Sequence, residues 1–156
     1  MKSLFALLLI GNLLIPFVSP GQNRIYEPTR GSGERNAQMD LLRNEFTSKF
    51  NGQKLIFEAI GDFYRSNGDW AFIYVFVYQS GAKPVDFNNS KYKKDYEAGM
   101  MDNNGIFALF KKTNGKWSLI THADFPTGVP TGCWWKQYKA PKIIFGSAAE
   151  EPKNCL

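Results

Sequence analysis

Apolar residues along this chain recur with two different periods. In "ERNAQMDLLRNEFTSKF", Glu34 to Phe50, the residues Met39, Leu42, Phe46 and Phe50 fall three and four apart and draw one stripe along a helix. Ser32 or Gly33 stands before it as a cap. Asn51-Gly52 follows, and these residues accept the left-handed backbone of a helix C-terminus. Beyond Lys54 the period becomes two. "KLIFEAIGDFY" and "DWAFIYVFVYQ" flank "RSNGD", and Asn67-Gly68 predicts a tight hairpin because both residues tolerate positive φ. In the second strand Trp70, Phe72, Tyr74, Phe76 and Tyr78 share one face, while Ala71, Ile73, Val75 and Val77 share the other. Apolar character on both faces predicts a central strand, with the helix over one side and another element over the aromatic side.

A second hairpin is predicted from "IFALFKK", a turn at Asn114-Gly115, and "WSLITHADF". In its last strand simple alternation sets Trp117, Leu119, Thr121 and Ala123 against Ser118, Ile120, His122 and Asp124. Between the hairpins lies a long polar connection, Ser80 to Gly105, of a length that tends to be functional or mobile. "KIIFG", Lys142 to Gly146, reads as a short edge strand. One helix followed by two antiparallel hairpins defines an α+β class. The expected architecture is an N-terminal helix packed on a curved antiparallel sheet of four to five strands, a pattern that looks cystatin-like or NTF2-like. The expected domain runs over 34–146, after a flexible arm at 22–33 and before a polar tail at 147–156.

The N-terminus changes the picture by adding a location. Lys2 precedes an apolar run from Leu4 to Val18, and Ser19 and Gly21 then form a small-x-small pair suited to signal peptidase. The run is shorter than the ~20 residues that span a bilayer as a helix. The reading is a cleaved leader over 1–21 and a secreted or periplasmic protein without a transmembrane segment in its mature part. The formal charge of +5 includes Lys2, and the remaining charges are scattered rather than gathered on one face, which argues against nucleic acid as a partner.

Candidate chemistry is sparse. The chain has one histidine, His122, two residues before Asp124, so the pair projects from one face of a strand as a base and its orienting carboxylate could. Such a pair would serve a small hydrolase or isomerase; equally, it fits two polar residues near a strand end. A single histidine cannot build a multi-histidine metal centre, and neither a zinc spacing nor a calcium loop is present, so no metal or cofactor is expected. The two cysteines, Cys133 and Cys155, would form a disulfide in an oxidising compartment, worth about 3 kcal/mol in the loop-entropy picture. The alternative is a free Cys133 thiol with His122 as its base. Trp134, Trp135, Lys136 and Tyr138 offer flat rings and positive charge to a ligand, or else pack over the core. In an extended segment the two tryptophans would point opposite ways.

"GDWAFIYVF", followed at a distance by "FPTGVPTGCWWKQYKAPKIIF", resembles a group of small exported bacterial proteins of unassigned function. Those carry a Gly-Asp-Trp-Ala strand, a later Trp-bearing strand, a Pro-Thr-Asp-Val turn, and a late Trp and Ala-Pro. Trp70, Trp117, Pro126, Thr127, Val129, Trp135 and Ala140-Pro141 fit, over roughly residues 55 to 145, whereas Gly128 stands where the acid is expected. The resemblance implies export and a small α+β domain and names no activity. The functional expectation is a non-enzymatic module that binds an envelope component or a protein, with two alternatives: an enzyme using His122 and Asp124, and a purely structural envelope protein. Its contact surface is expected at Asp124 to Tyr138 together with Gly81 to Gly105. Thiol titration of the unfolded, unreduced protein checks the cysteine reading: no reactive thiol is expected, and one free thiol per chain would sink the disulfide.

Overall fold

The stripe on the first helix sets the architecture. The computed structural model describes residues 24–101, 103–149 and Cys155; the expected leader at 1–21 lies outside the described residues, as does most of the tail. Helix α1 spans Gly33–Thr47, and the Ser32 side chain caps it by accepting from the Arg35 amide at 3.2 Å. A 3-10 turn, Ser48–Phe50, carries the helix into Asn51, whose φ of 48° ends it. Met39, Leu42, Phe46 and Phe50 are all buried, as their spacing requires. Gln38 is buried beside them, where it accepts a 2.6 Å hydrogen bond from the Tyr64 hydroxyl.

The stripe lies on a five-stranded antiparallel sheet. Its strands are β1 (Leu55–Ser66), β2 (Trp70–Gln79), β3 (Lys83–Pro84), β4 (Gly105–Thr113) and β5 (Lys116–Asp124). The order is β1-β2-β4-β5, with short β3 pairing the end of β2. The chain is thus α+β, with one main helix. Asn114 and Gly115 both take positive φ, the two-residue turn expected there. The other Asn-Gly works differently: only Gly68 has positive φ, and Asn67 Oδ1 instead accepts from the amides of Asp69 and Trp70.

β2 is covered on both sides. Its aliphatic residues Ala71, Ile73, Val75 and Val77 join the layer under α1. Its aromatic face, with Phe72 fully buried, joins Phe107, Leu109, Trp134, Ile144 and Phe145 in a second layer. The cover on that side is the C-terminal segment, which departs from expectation in form. "CWWKQ" is not extended; Trp134–Gln137 make one helical turn, α3. "KIIFG" is not an edge strand; Lys142–Ala148 is a 3-10 segment. Both corrections have one cause: this segment lies on the face of the sheet, where no strand edge is offered, so its backbone must satisfy itself locally. Cys133 and Cys155 are joined, with Cα atoms 5.6 Å apart.

The rest of the chain is tied to this frame. Tyr26, in the segment expected as an arm, exchanges backbone hydrogen bonds with Ser66 at 2.9 and 2.8 Å. The long connection carries a short helix α2 (Lys93–Glu97), and its Phe87 and Tyr92 pack on Phe50 and Phe125. Among the described residues no helix is long and apolar enough to cross a membrane. Phe46 sits fully buried where α1 crosses the sheet, against Phe57 and the His122 ring. Phe46→Ala is expected to cost about 3–5 kcal/mol of unfolding free energy in urea titrations; a loss under 1 kcal/mol would mean that α1 is not anchored there.

Candidate functional site

A single extra residue decides where the sole histidine points. β5 pairs β4 with a register shift at Leu109/Phe110: Leu119 faces Phe110, Thr121 faces Leu109, and Ile120 is left over as a bulge. Trp117 and Leu119 therefore lie on the helix side, and beyond the bulge so do His122, opposite Ala108, and Asp124, opposite Ile106. Ile120 and Ala123 pack into the aromatic layer instead. Simple alternation had placed His122 and Asp124 opposite Trp117 and Leu119; the bulge reverses their phase. Phe125 follows with φ of 51°, an uncommon geometry for a bulky residue, and turns its ring into the Phe50, Phe87 and Tyr92 cluster.

His122 and Asp124 do meet, and four further residues close around them: Glu45, Lys49, Tyr92 and, more loosely, the exposed Lys91, whose ammonium lies 3.9 Å from Asp124 Oδ2. His122 Nδ1 is 2.5 Å from Asp124 Oδ1, and the Tyr92 hydroxyl donates to Asp124 Oδ2 at 2.5 Å. Lys49 Nζ lies 3.4 Å from Asp124 Oδ2, 3.4 Å from His122 Nε2 and 2.6 Å from Glu45 Oε1. Glu45 Oε1 in turn stands 3.3 Å from His122 Nε2. With the ring proton on Nδ1 facing the carboxylate, Nε2 accepts from Lys49; a second ring proton would face Glu45. Both ring nitrogens are thus engaged, and the ring edge rests on Phe46 at 5.3 Å between centroids.

The electrostatics follow from that enclosure. Burial pushes the Asp124 carboxyl up, but hydrogen bonds from His122 and Tyr92, with the charges of His122 and Lys49, outweigh it and hold Asp124 at about 2. Tyr92 is raised, by burial first and then by the carboxylate it serves. Glu45 is lowered, chiefly by its hydrogen bond from Lys49. The arrangement can hold a proton between His122 and Asp124. It leaves no unshared nitrogen toward solvent for a substrate. Among the described residues no group of three or more His, Cys, Asp or Glu side chains could hold a metal ion.

The C-terminal candidates lie elsewhere. Trp134 is buried and meets Tyr138 edge to face at 6.3 Å. Trp135 is half-buried under the Lys142 ammonium, and its Nε1 has no acceptor among the described residues. On a helical turn the two tryptophans diverge by about 100° rather than pointing opposite ways. Lys136 Nζ bonds the Cys155 carbonyl at 2.6 Å, and Tyr138 accepts from Gln137. The disulfide removes Cys133 as a nucleophile.

What these residues leave uncovered is a cleft on the aromatic face. It measures about 300 Å³ and is lined by Phe63, Tyr74, Phe107, the turn Pro126 to Val129, Ser147 and Ala148, with Asn103 as a polar group on its wall. Tyr74 stacks on Phe107 at 4.2 Å, and Phe63 meets Tyr74 edge to face at 6.0 Å. Gly105 keeps this floor in place, since a Cβ there would lie 2.5 Å from the Tyr74 ring. A larger groove of about 510 Å³ beside Trp117 has charged walls at Glu34, Asp40, Lys112 and Lys116, so it offers less apolar surface to a ligand.

Comparison with family models, with curated proteins and with solved structures finds no match in any of the three. Fold and site define an α+β domain with a closed His-Asp-Tyr-Lys network on one face of its sheet and an open apolar cleft on the other. Sequence reasoning missed Glu45, Lys49 and Tyr92. The first two stand one helical turn apart beside Phe46, a spacing legible as an ion pair; Tyr92 sits in the connection with no signal of its partner. Because the folded Asp124 carboxyl lies near 2, its contribution is present above about pH 4 and is lost as pH falls toward 2. Asp124→Asn is expected to cost about 2 kcal/mol at pH 7 and to flatten the acid limb of the stability curve. Superimposable pH-stability curves for the two proteins would show that the network contributes nothing.

Proposed function

We propose that this is an exported, non-enzymatic binding module whose ligand seat is the apolar cleft between the aromatic sheet face and the Pro126 to Val129 turn. The observation that carries the reading is the lining of that cleft: stacked Tyr74 and Phe107, Phe63 across from them, exposed Val129 at the rim, and Asn103 to orient a polar group. At about 300 Å³ the seat suits one apolar or aromatic group, such as a side chain of a protein partner or an acyl or aromatic end of an envelope component. Its walls come from the 126–129 turn and from Asn103 at the end of the long connection, the two segments expected to carry contacts. Trp134, Trp135, Lys136 and Tyr138 then act as the cover that shapes the seat. The leader-like N-terminus and the joined cysteines support export.

The enzyme alternative has weaker support, because a general base needs a nitrogen open to substrate and His122 shares both of its own. Titration of labelled protein with N-acetyl-phenylalaninamide and with hexanoate, followed by NMR, tests the seat. Shifts are expected at Asn103 and Thr127 to Val129, and Val129→Asp should weaken binding about tenfold, since it replaces an apolar rim contact with a carboxylate that an apolar ligand would have to desolvate. His122→Gln should leave binding unchanged. Shifts centred on His122, or none anywhere, would defeat the proposal.

A further inference from the structure

The outer edge of β1 carries a pattern that fits a second copy of this chain. β1 is the first strand of the sheet, with β2 on one side only. The direction of its backbone groups can be read from its neighbour. Val77 donates its N–H to the Asn104 carbonyl and accepts from Asn104 Nδ2, so both of its backbone groups turn toward β4. Phe57, opposite Val77, therefore turns its own N–H and C=O outward, away from β2, and alternation gives Leu55 and Ala59 the same direction. At the far end of the strand the chain already uses this edge: Ser66 exchanges two backbone hydrogen bonds with Tyr26. From Leu55 to Ala59 no strand among the described residues pairs with it. An open groove of about 400 Å³, with Arg35, Met39 and Arg43 of α1 on its far wall, runs beside Ile56 to Ala59.

The side chains flanking that edge are self-complementary. Lys54, Ile56 and Glu58 lie on one face and are all exposed, Ile56 at 42%. An antiparallel partner must match outward-turned residues with outward-turned residues, which leaves registers centred on Leu55, Ile56, Phe57 or Glu58, the last of which sets the two Glu58 carboxylates against each other. Centring on Leu55 sets Lys54 against Ile56, and centring on Phe57 sets Ile56 against Glu58. Centring on Ile56 sets Ile56 against Ile56, Lys54 against Glu58 on both sides of the two-fold axis, and Leu55 against Phe57 as the hydrogen-bonded pairs. Flanking charges commonly protect an edge from pairing, but that protection works by like-charge repulsion, and here the signs attract.

We infer that the protein forms a two-fold homodimer by antiparallel pairing of β1 edges across Lys54 to Glu58, with Ile56 on the axis. The pairing is short, so the dimer is weak and concentration-dependent. Sedimentation velocity of the purified protein across the micromolar to millimolar range tests it, with circular dichroism confirming that each variant folds. Wild-type protein is expected to shift from monomer to dimer. Ile56→Lys, which sets like charges on the axis, should abolish the shift. Lys54→Glu and Glu58→Lys should each weaken it about tenfold by opposing like charges, and the charge-swapped double variant should restore it. A monomer at every concentration would overturn the inference and leave the edge to a foreign strand. A dimer indifferent to Ile56→Lys, or a double variant no better than the singles, would overturn it equally.

Discussion

Everything in this fold answers to one strand that is apolar on both faces. Ala71, Phe72, Ile73, Val75 and Val77 of β2 are fully buried, and no one-sided sheet can satisfy them. Each large side chain contributes about 1.5–3 kcal/mol only if its own face is removed from water. The aliphatic face takes the flat contact of α1, whose stripe of Leu42, Phe46 and Phe50 fits between short branched side chains. The aromatic face is rougher, and a segment folded to its contours covers it: the α3 turn, the 3-10 segment around Phe145, and the Cys133–Cys155 link that closes them into one piece. The cover does not reach the whole face. It buries Phe72 and stops short of Tyr74, and the cleft exists because of that shortfall.

Two irregularities control what each face receives. In β1, Ile60 to Phe63 stand opposite Tyr74 alone, with Gly61 at φ of 47° permitting the bend. The shift carries Tyr64 to the helix side, where it meets Gln38, while Phe63 joins the aromatic layer and walls the cleft. In β5 the Ile120 bulge turns His122 and Asp124 under the helix. Bringing ionisable groups there has a desolvation cost, and the arrangement offsets it by partnering both ring nitrogens and both carboxylate oxygens. The network also joins the helix end to the long connection, since the Lys91 amide donates to the Lys49 carbonyl at 2.8 Å.

The elements themselves were legible because each rests on a local period: the helix on Met39, Leu42, Phe46 and Phe50, the central strand on its alternating aromatic and aliphatic residues, the second turn on Asn114-Gly115. What escaped the sequence was non-local. Nothing in "SLITHAD" marks Ile120 as the unpaired residue, and that one residue decides the face on which His122 lies. "KIIFG" has strand composition, yet it meets the face of a sheet and not an edge, so it winds. The Trp134-Trp135 pair carried the aromatic signal, while the open aromatic surface belongs to Tyr74 and Phe107, which looked like ordinary core. Lys49 and Tyr92 reach Asp124 only through the fold, across separations of 75 and 32 residues.

The same strand that organises the core links the seat to the β1 edge. Tyr78 and Phe76 stand beside Ile56 and Glu58 on the aromatic face, beyond the reach of the C-terminal cover. Antiparallel pairing centred on Ile56 has its two-fold axis perpendicular to the sheet, so the aromatic faces of both copies would look the same way. Two clefts would then open on one side of a continuous sheet, separated by the half-buried rings of β2 and the paired Ile56 side chains. A partner carrying two apolar groups could engage both seats, and its affinity would rise through effective concentration without any new contact. In such a dimer a weak edge would have a use: a single cleft of about 300 Å³ offers little apolar surface alone, and pairing would set two of them on one surface. Bulge and Tyr26 bridge close the far half of β1, and the open half is the one that lies beside the uncovered rings.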